Sequence, residues 1–291
     1  KCSAAMGDYK NAYVYYLKAA KMSEELSGKE KQKMVAELET QYQLADKQEQ
    51  IAAKTLENKL KEEEKIVKKI KPITVHTART IMFMELEKVM NFSIQNDNYI
   101  ESMNNNVFGK KSQDGIKKTS GFLLQLYKFD LSSNKFKAFK YFWSNADESE
   151  KAVLAIVFAS TNDYLLKESI SAISQKKIGE KVDIESIEEN IEKYHPNRFT
   201  KNTLRSVAQN IASSWKQAGF ITGKIKNIRS EPLITYRIVS FAMLLAYLDG
   251  LRGDFILNAN TLLALCSNES KIRELSIEAS KRDLMQYQYA G

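Results

Sequence analysis

Two histidines and two cysteines leave this 291-residue chain few residues that could make or break a bond. His76 and His195 have no partner His or Cys at metal-ligand spacing, and neither His-Glu-x-x-His nor Cys-x-x-Cys occurs. There is no Gly-x-x-x-x-Gly-Lys-Ser/Thr loop, no Gly-x-Gly-x-x-Gly and no Gly-x-Ser-x-Gly elbow. Glu188-Glu189 reads as helix-surface charge, and His195, before Pro196, as a helix cap. The sequence therefore predicts a non-catalytic protein without metal or cofactor. The chemistry it does suggest is electrostatic. From Lys193 to Ser230 the chain runs thirty-eight residues without Asp or Glu, and carries Lys193, Arg198, Lys201, Arg205, Lys216, Lys224, Lys226 and Arg229. The net charge of +8 is thus unevenly spread, and a local positive field of this kind attracts a polyanion, most commonly nucleic acid. A solvated basic face without a partner is the plain alternative.

The elements that must position these charges are legible on either side. Asp183 to Tyr194 predicts a helix with Ile184, Ile187, Ile191 and Tyr194 on one face, broken by His195-Pro196-Asn197. Thr200 then suits the N-cap of a helix from Lys201 to Gln217, with Gly219 as its stop. Leu204, Val207, Ala208, Ile211, Ala212 and Trp215 form its apolar stripe, so Trp215 reads as core. Phe220-Ile-Thr222 predicts a strand, Gly223 to Arg229 a basic turn, and Leu233 to Ile238 a return into strand or helix. This is the order of recognition helix and wing. In that geometry Lys201, Asn202, Thr203, Arg205 and Ser206 face the major groove, and Arg198, Lys224, Lys226 and Arg229 follow the backbone. If about six cations each neutralise a phosphate, the salt slope is about −5. Winged helices also bind proteins, so that alternative stays open. Arg252 is read as capping a helix end.

The fold class expected is mostly α. Residues 1–71 read as a repeat-like helix and a long, coiled-coil-like helix, 73–180 as a helical domain, and 181–291 as a winged-helix-like domain with C-terminal helices. Gly7-Asp8-Tyr9 with Ala12, Tyr16 and Ala19 matches the second half of a tetratricopeptide repeat. A lone repeat cannot bury its apolar face, so neighbours are expected upstream. Val35, Leu38, Tyr42 and Ala45, then Ala52, Leu56 and Leu60, mark a narrow seam on the long helix. The change of composition at Pro72 suggests the boundary. Beyond it, Ala78 to Met90 predicts a helix, Asn91 to Ser120 a loop-rich stretch, and Asn145 to Phe158 a helix with an acidic first turn. The apolar run Ile238 to Leu248 is too short to span a bilayer, which takes roughly 20 residues. Cys2 and Cys266 frame no disulfide, and a cytoplasmic setting without membrane attachment is expected.

From about residue 73 the chain resembles the BrxA family of the BREX phage-defence systems. The resemblance rests on Asn145 to Phe158, Tyr164-Leu-Leu, and Phe199-Thr-Lys-Asn-Thr-Leu-Arg205 leading through Ile211, Trp215 and Ala218-Gly219-Phe-Ile221. It implies a mostly helical protein that binds double-stranded DNA and acts with other defence-system proteins. Residues 1–71 have no counterpart there, and 238–283 depart from the pattern. That first segment instead resembles the repeat-and-connector region of bacterial sensor proteins, which implies a protein-interaction adaptor in signalling as the alternative function.

Overall fold

The computed structural model describes residues 9–22, 28–69, 74–224 and 226–288, and is mostly helical. It divides into two compact units, Lys1–Lys71 and Pro72–Gly291. The first holds helices α1 (Tyr9–Met22) and α2 (Gly28–Lys69). Tyr13 stacks on Tyr42 with ring centroids 5.5 Å apart, and its hydroxyl donates to Glu39 Oε1 at 3.2 Å. Ala12, Tyr16 and Ala20 are half-buried, and Ala19 is exposed. Val35, Tyr42 and Ala45 are half-buried on α2. The Gly7-Asp8 turn, Pro72 and Cys2 lie outside the described residues, as do the side chains of Leu38, Ala52, Leu56 and Leu60.

The second unit opens with a non-helical segment, 74–82, followed by α3 (Phe83–Ser93), α4 (Tyr99–Asn104), α5 (Gln113–Tyr127), α6 (Asn134–Ser144) and α7 (Glu148–Asn162). Short α8 (Tyr164–Glu168) and α9 (Ile170–Ser174) lead to α10 (Ile184–Tyr194) and α11 (Lys201–Gln217). A hairpin of β1 (Ile221–Thr222) and β2 (Ile228–Arg229) follows, then α12 (Tyr236–Leu248), a 3-10 turn at Gly253–Asn258, α13 (Asn260–Leu263) and α14 (Glu269–Lys281). One apolar core runs from Val75 to Ile272, so the expected division at 180/181 falls inside a single unit.

α7 is the centre of that core because it is apolar on every side. Every residue from Val153 to Ser160 is buried, and Phe158 stacks on Phe139 with centroids 4.5 Å apart and planes 8° from parallel. Its N-terminus is held by Glu150, which takes the Asp147 N–H at 2.7 Å and Arg237 Nε at 2.9 Å, and also the Thr235 hydroxyl. That fully buried carboxylate is thereby charge-paired and hydrogen-bonded. α12 buries Ile238 to Met243, and no helix among the described residues is long and apolar enough to cross a membrane.

Two sequence expectations differ from the fold. The helix expected from Ala78 begins only at Phe83, because α11 captures the preceding backbone. Ile81 N–H donates to Ser214 Oγ at 3.0 Å, Phe83 N–H to Gln217 Oε1 at 3.0 Å, and Asn210 Nδ2 to the His76 carbonyl at 2.9 Å. Met82 accordingly has φ +55°, which a continuing helix forbids. The stretch from Asn91 to Ser120 is more helical than its polarity suggests. α4 buries Tyr99 and Met103, and α5 starts at Gln113 behind the Ser112 cap. Leu233 to Ile238 returns into a helix, one of the two forms expected: α12 begins at Tyr236, with the Thr235 hydroxyl accepting the Ile238 N–H.

Candidate nucleic-acid interface

Helices α10 and α11 pack together and carry the hairpin at their end. α10 turns Ile187 and Ile191 inward with Ile184 half-buried, while Tyr194 is half exposed. α11 begins where Thr200 accepts the Thr203 N–H, and its stripe of Val207, Ala208, Ile211, Ala212 and Trp215 is buried. Trp215 Nε1 donates to Ser169 Oγ at 2.8 Å, so the ring is core. Gly219, at φ +82°, ends the helix and lets Phe220 turn inward to meet Trp215 edge-on at 5.1 Å.

β1 and β2 pair antiparallel, Ile221 with Arg229 and Thr222 with Ile228. The segment before α10 joins them: Gly179 N–H donates to the Arg229 carbonyl, Arg229 N–H to the Glu180 carbonyl, and Val182 N–H to the Asn227 carbonyl. The hairpin turn starts at Gly223, φ +94°, where a Cβ would lie 2.2 Å from the Lys226 carbonyl oxygen. Only glycine fits so close an approach at that angle.

The residues expected to meet nucleic acid do not share one environment. Lys201, Asn202 and Ser206 lie exposed on one side of α11, and Lys224 and Lys226 are exposed on the hairpin turn. Arg198 is exposed with its guanidinium over Tyr164, 5.1 Å from the ring centroid, and over Phe199 at 5.6 Å. Thr203 is half-buried and its hydroxyl meets that of Thr200 at 2.9 Å, so it belongs to the helix cap.

Arg205 has partners that its sequence neighbourhood lacks. Its Nη1 donates to Glu185 Oε1 at 2.6 Å and to Glu188 Oε1 at 3.3 Å, both from α10. The side chain stays 47% exposed, so these pairs are weak in stability terms. The Arg205 hydrogen bond still holds the Glu185 carboxyl below the usual carboxylate range. The acid-free stretch is thus acid-free only along the chain.

Arg229 requires a correction. Expected on the nucleic-acid backbone, it is only 3% exposed. The second strand arrives at Ile228–Arg229, earlier than the pattern suggested, and pleat alternation turns Arg229 inward. Its guanidinium lies over Phe220, 5.5 Å from the centroid, and donates to the carbonyls of Phe220 and Ser230. It also faces Cys266, whose thiol burial pushes up to about 11 despite the opposing guanidinium.

Sequence reasoning missed a buried polar cluster. His76 Nδ1 lies 2.9 Å from Asp163 Oδ2 and Nε2 lies 2.9 Å from Ser214 Oγ, the connectivity of a serine-hydrolase triad. Asp163 also accepts Val75 N–H at 2.6 Å, Leu166 N–H at 3.1 Å and the Thr74 hydroxyl at 3.0 Å. Burial alone raises this carboxyl, but the His76 ring and the two backbone donors hold it below its usual value. All three side chains are buried, Ser214 Oγ is occupied by Ile81 N–H, and cavities of about 540, 360 and 410 Å³ are lined by other residues. The cluster latches segment 74–82 to α11 and to the α7–α8 corner. Its members stand 87 and 138 residues apart, and no local spacing announces them.

His195 and Arg252 are helix-end residues. His195 meets Glu168 at 2.8 Å just past α10, and Arg252 donates to the Tyr247 carbonyl at the end of α12. Among the described residues no group of three His, Cys, Asp or Glu could hold a metal ion. No protein-family model, curated protein or solved structure matches this chain.

Proposed function

We propose that the protein is a non-catalytic double-stranded DNA-binding accessory protein, working through α11 as recognition helix and the 223–227 turn as wing. The observation that carries this reading is the element order: a short strand segment, α10, α11 and a hairpin paired back on that segment, which is the order of a winged helix. Exposed Lys201, Asn202 and Ser206 then face the major groove, and Lys224 and Lys226 the phosphates. With Arg229 interior, Arg205 paired and Lys201 in the groove, Arg198, Lys224 and Lys226 remain as backbone neutralisers, so the salt slope falls to about −2.7. A cytoplasmic role in a BREX-like phage-defence system follows from the BrxA resemblance.

The test is fluorescence anisotropy of a labelled duplex over a salt series, with the parent chain and Lys201→Glu/Lys224→Glu/Lys226→Glu. Loss of binding and a flatter slope are expected of the variant. Equal affinity for parent and variant removes the proposal.

A second reading, a protein-interaction adaptor, draws on the first unit. Val14, Tyr15 and Leu17 on α1 and Met34, Leu44 and Ile51 on α2 are exposed apolar side chains. A chain lacking residues 1–71 separates the two: intact duplex binding supports the DNA reading, and loss of a protein partner in a pull-down supports the adaptor.

A further inference from the structure

We infer that Arg205 reads guanine in the major groove and that Glu185 and Glu188 are its positioning residues, an assignment that rests on the reading of α11 as the duplex-facing helix. Both carboxylates engage the same guanidinium nitrogen, Nη1, at 2.6 and 3.3 Å. Nε and Nη2 have no partner among the described residues. That unused edge is a pair of parallel N–H donors, the fork that matches guanine O6 and N7. Arg205 lies in the second turn of α11 beside exposed Asn202 and Ser206, within the part of a recognition helix that meets base edges.

The carboxylates decide between base and phosphate. A phosphate brought to Nε and Nη2 comes close to Glu185 and Glu188 and is repelled by both. A guanine edge offers two acceptors without a net charge and meets no such penalty. Anchoring at Nη1 also removes rotamer freedom from a long side chain before it binds, so less is lost on contact. The two acids thus subtract from sequence-independent attraction and leave the directional hydrogen bonds, which is how discrimination is raised without raising affinity.

The experiment uses the full chain. A random-sequence duplex pool is enriched by binding, and the selected duplex is compared by anisotropy with one in which the enriched G·C pair is A·T. The parent is expected to enrich one guanine and to prefer it about 5- to 150-fold. Arg205→Lys keeps the charge but loses the fork, and is expected to abolish that preference while binding random duplex as well as the parent. Glu185→Gln/Glu188→Gln is expected to bind random duplex several-fold more tightly, with a salt slope steeper by about 0.9, and with a reduced guanine preference. A parent that binds duplex but enriches no guanine overturns the assignment, as does an Arg205→Lys variant that keeps the preference or a double variant indistinguishable from the parent. A parent that binds no duplex overturns the DNA reading and this assignment together.

Discussion

Replacing Asp163 tests whether the buried polar cluster is the latch that the geometry describes. Asp163→Ala leaves the His76 ring, the Val75 and Leu166 N–H groups and the Thr74 hydroxyl without their acceptor in a site closed to water. Breaking a buried, hydrogen-bonded pair by removing one partner costs roughly 3–5 kcal/mol. For a unit the size of 72–291, where 1 kcal/mol shifts Tm by roughly 2–4 °C, that corresponds to about 6–20 °C. Thermal and urea unfolding followed by circular dichroism measure it. The acid limb supplies an independent check. The folded carboxyl lies below its ordinary value of 3.8, so its stabilisation is fully present above that pH and is lost as pH falls through the depressed folded value. The parent is therefore expected to lose stability below about pH 3.8 more steeply than Asp163→Asn, which has no carboxyl to protonate. A Tm within about 2 °C of the parent for Asp163→Ala, or superimposable acid limbs for parent and Asp163→Asn, refutes the latch.

Three further expectations follow from named contacts. Arg229→Ala is expected to destabilise by about 1–3 kcal/mol in urea unfolding, through loss of its hydrogen bonds to the Phe220 and Ser230 carbonyls, while the salt slope of any duplex binding stays unchanged. Gly223→Ala places a Cβ against the Lys226 carbonyl at a φ of +94°, and a loss of roughly 1–3 kcal/mol is expected, with weaker duplex binding through a displaced turn. Glu150→Ala removes the acceptor for Arg237, Thr235 and the Asp147 N–H at the start of α7, and a loss of roughly 3–5 kcal/mol in the same unfolding assay is expected.

Much of the α10–α11 region was legible because its signals are local. Thr200 as N-cap, the three- and four-residue apolar stripe and the Gly219 stop lie within twenty residues, and each acts through backbone geometry that neighbours cannot easily override. The capped, acidic start of α7 is of the same kind. Where local signals were weak, distant residues decided. Segment 78–82 has helical periodicity, but Ser214 and Gln217 draw its N–H groups away from it. The polar stretch after Asn91 becomes helical because Tyr99, Met103 and Leu123 find a core to enter.

Composition and order alone determined that the protein is mostly helical, that positive charge concentrates between Lys193 and Ser230, and where α10 and α11 begin and end. Which of those cations face solvent, and which acids stand beside them, only the tertiary structure decided. Helix caps and apolar stripes act over a turn or two of chain, whereas charge acts through space: Glu185 is twenty residues from Arg205 in sequence and 2.6 Å from it in the fold.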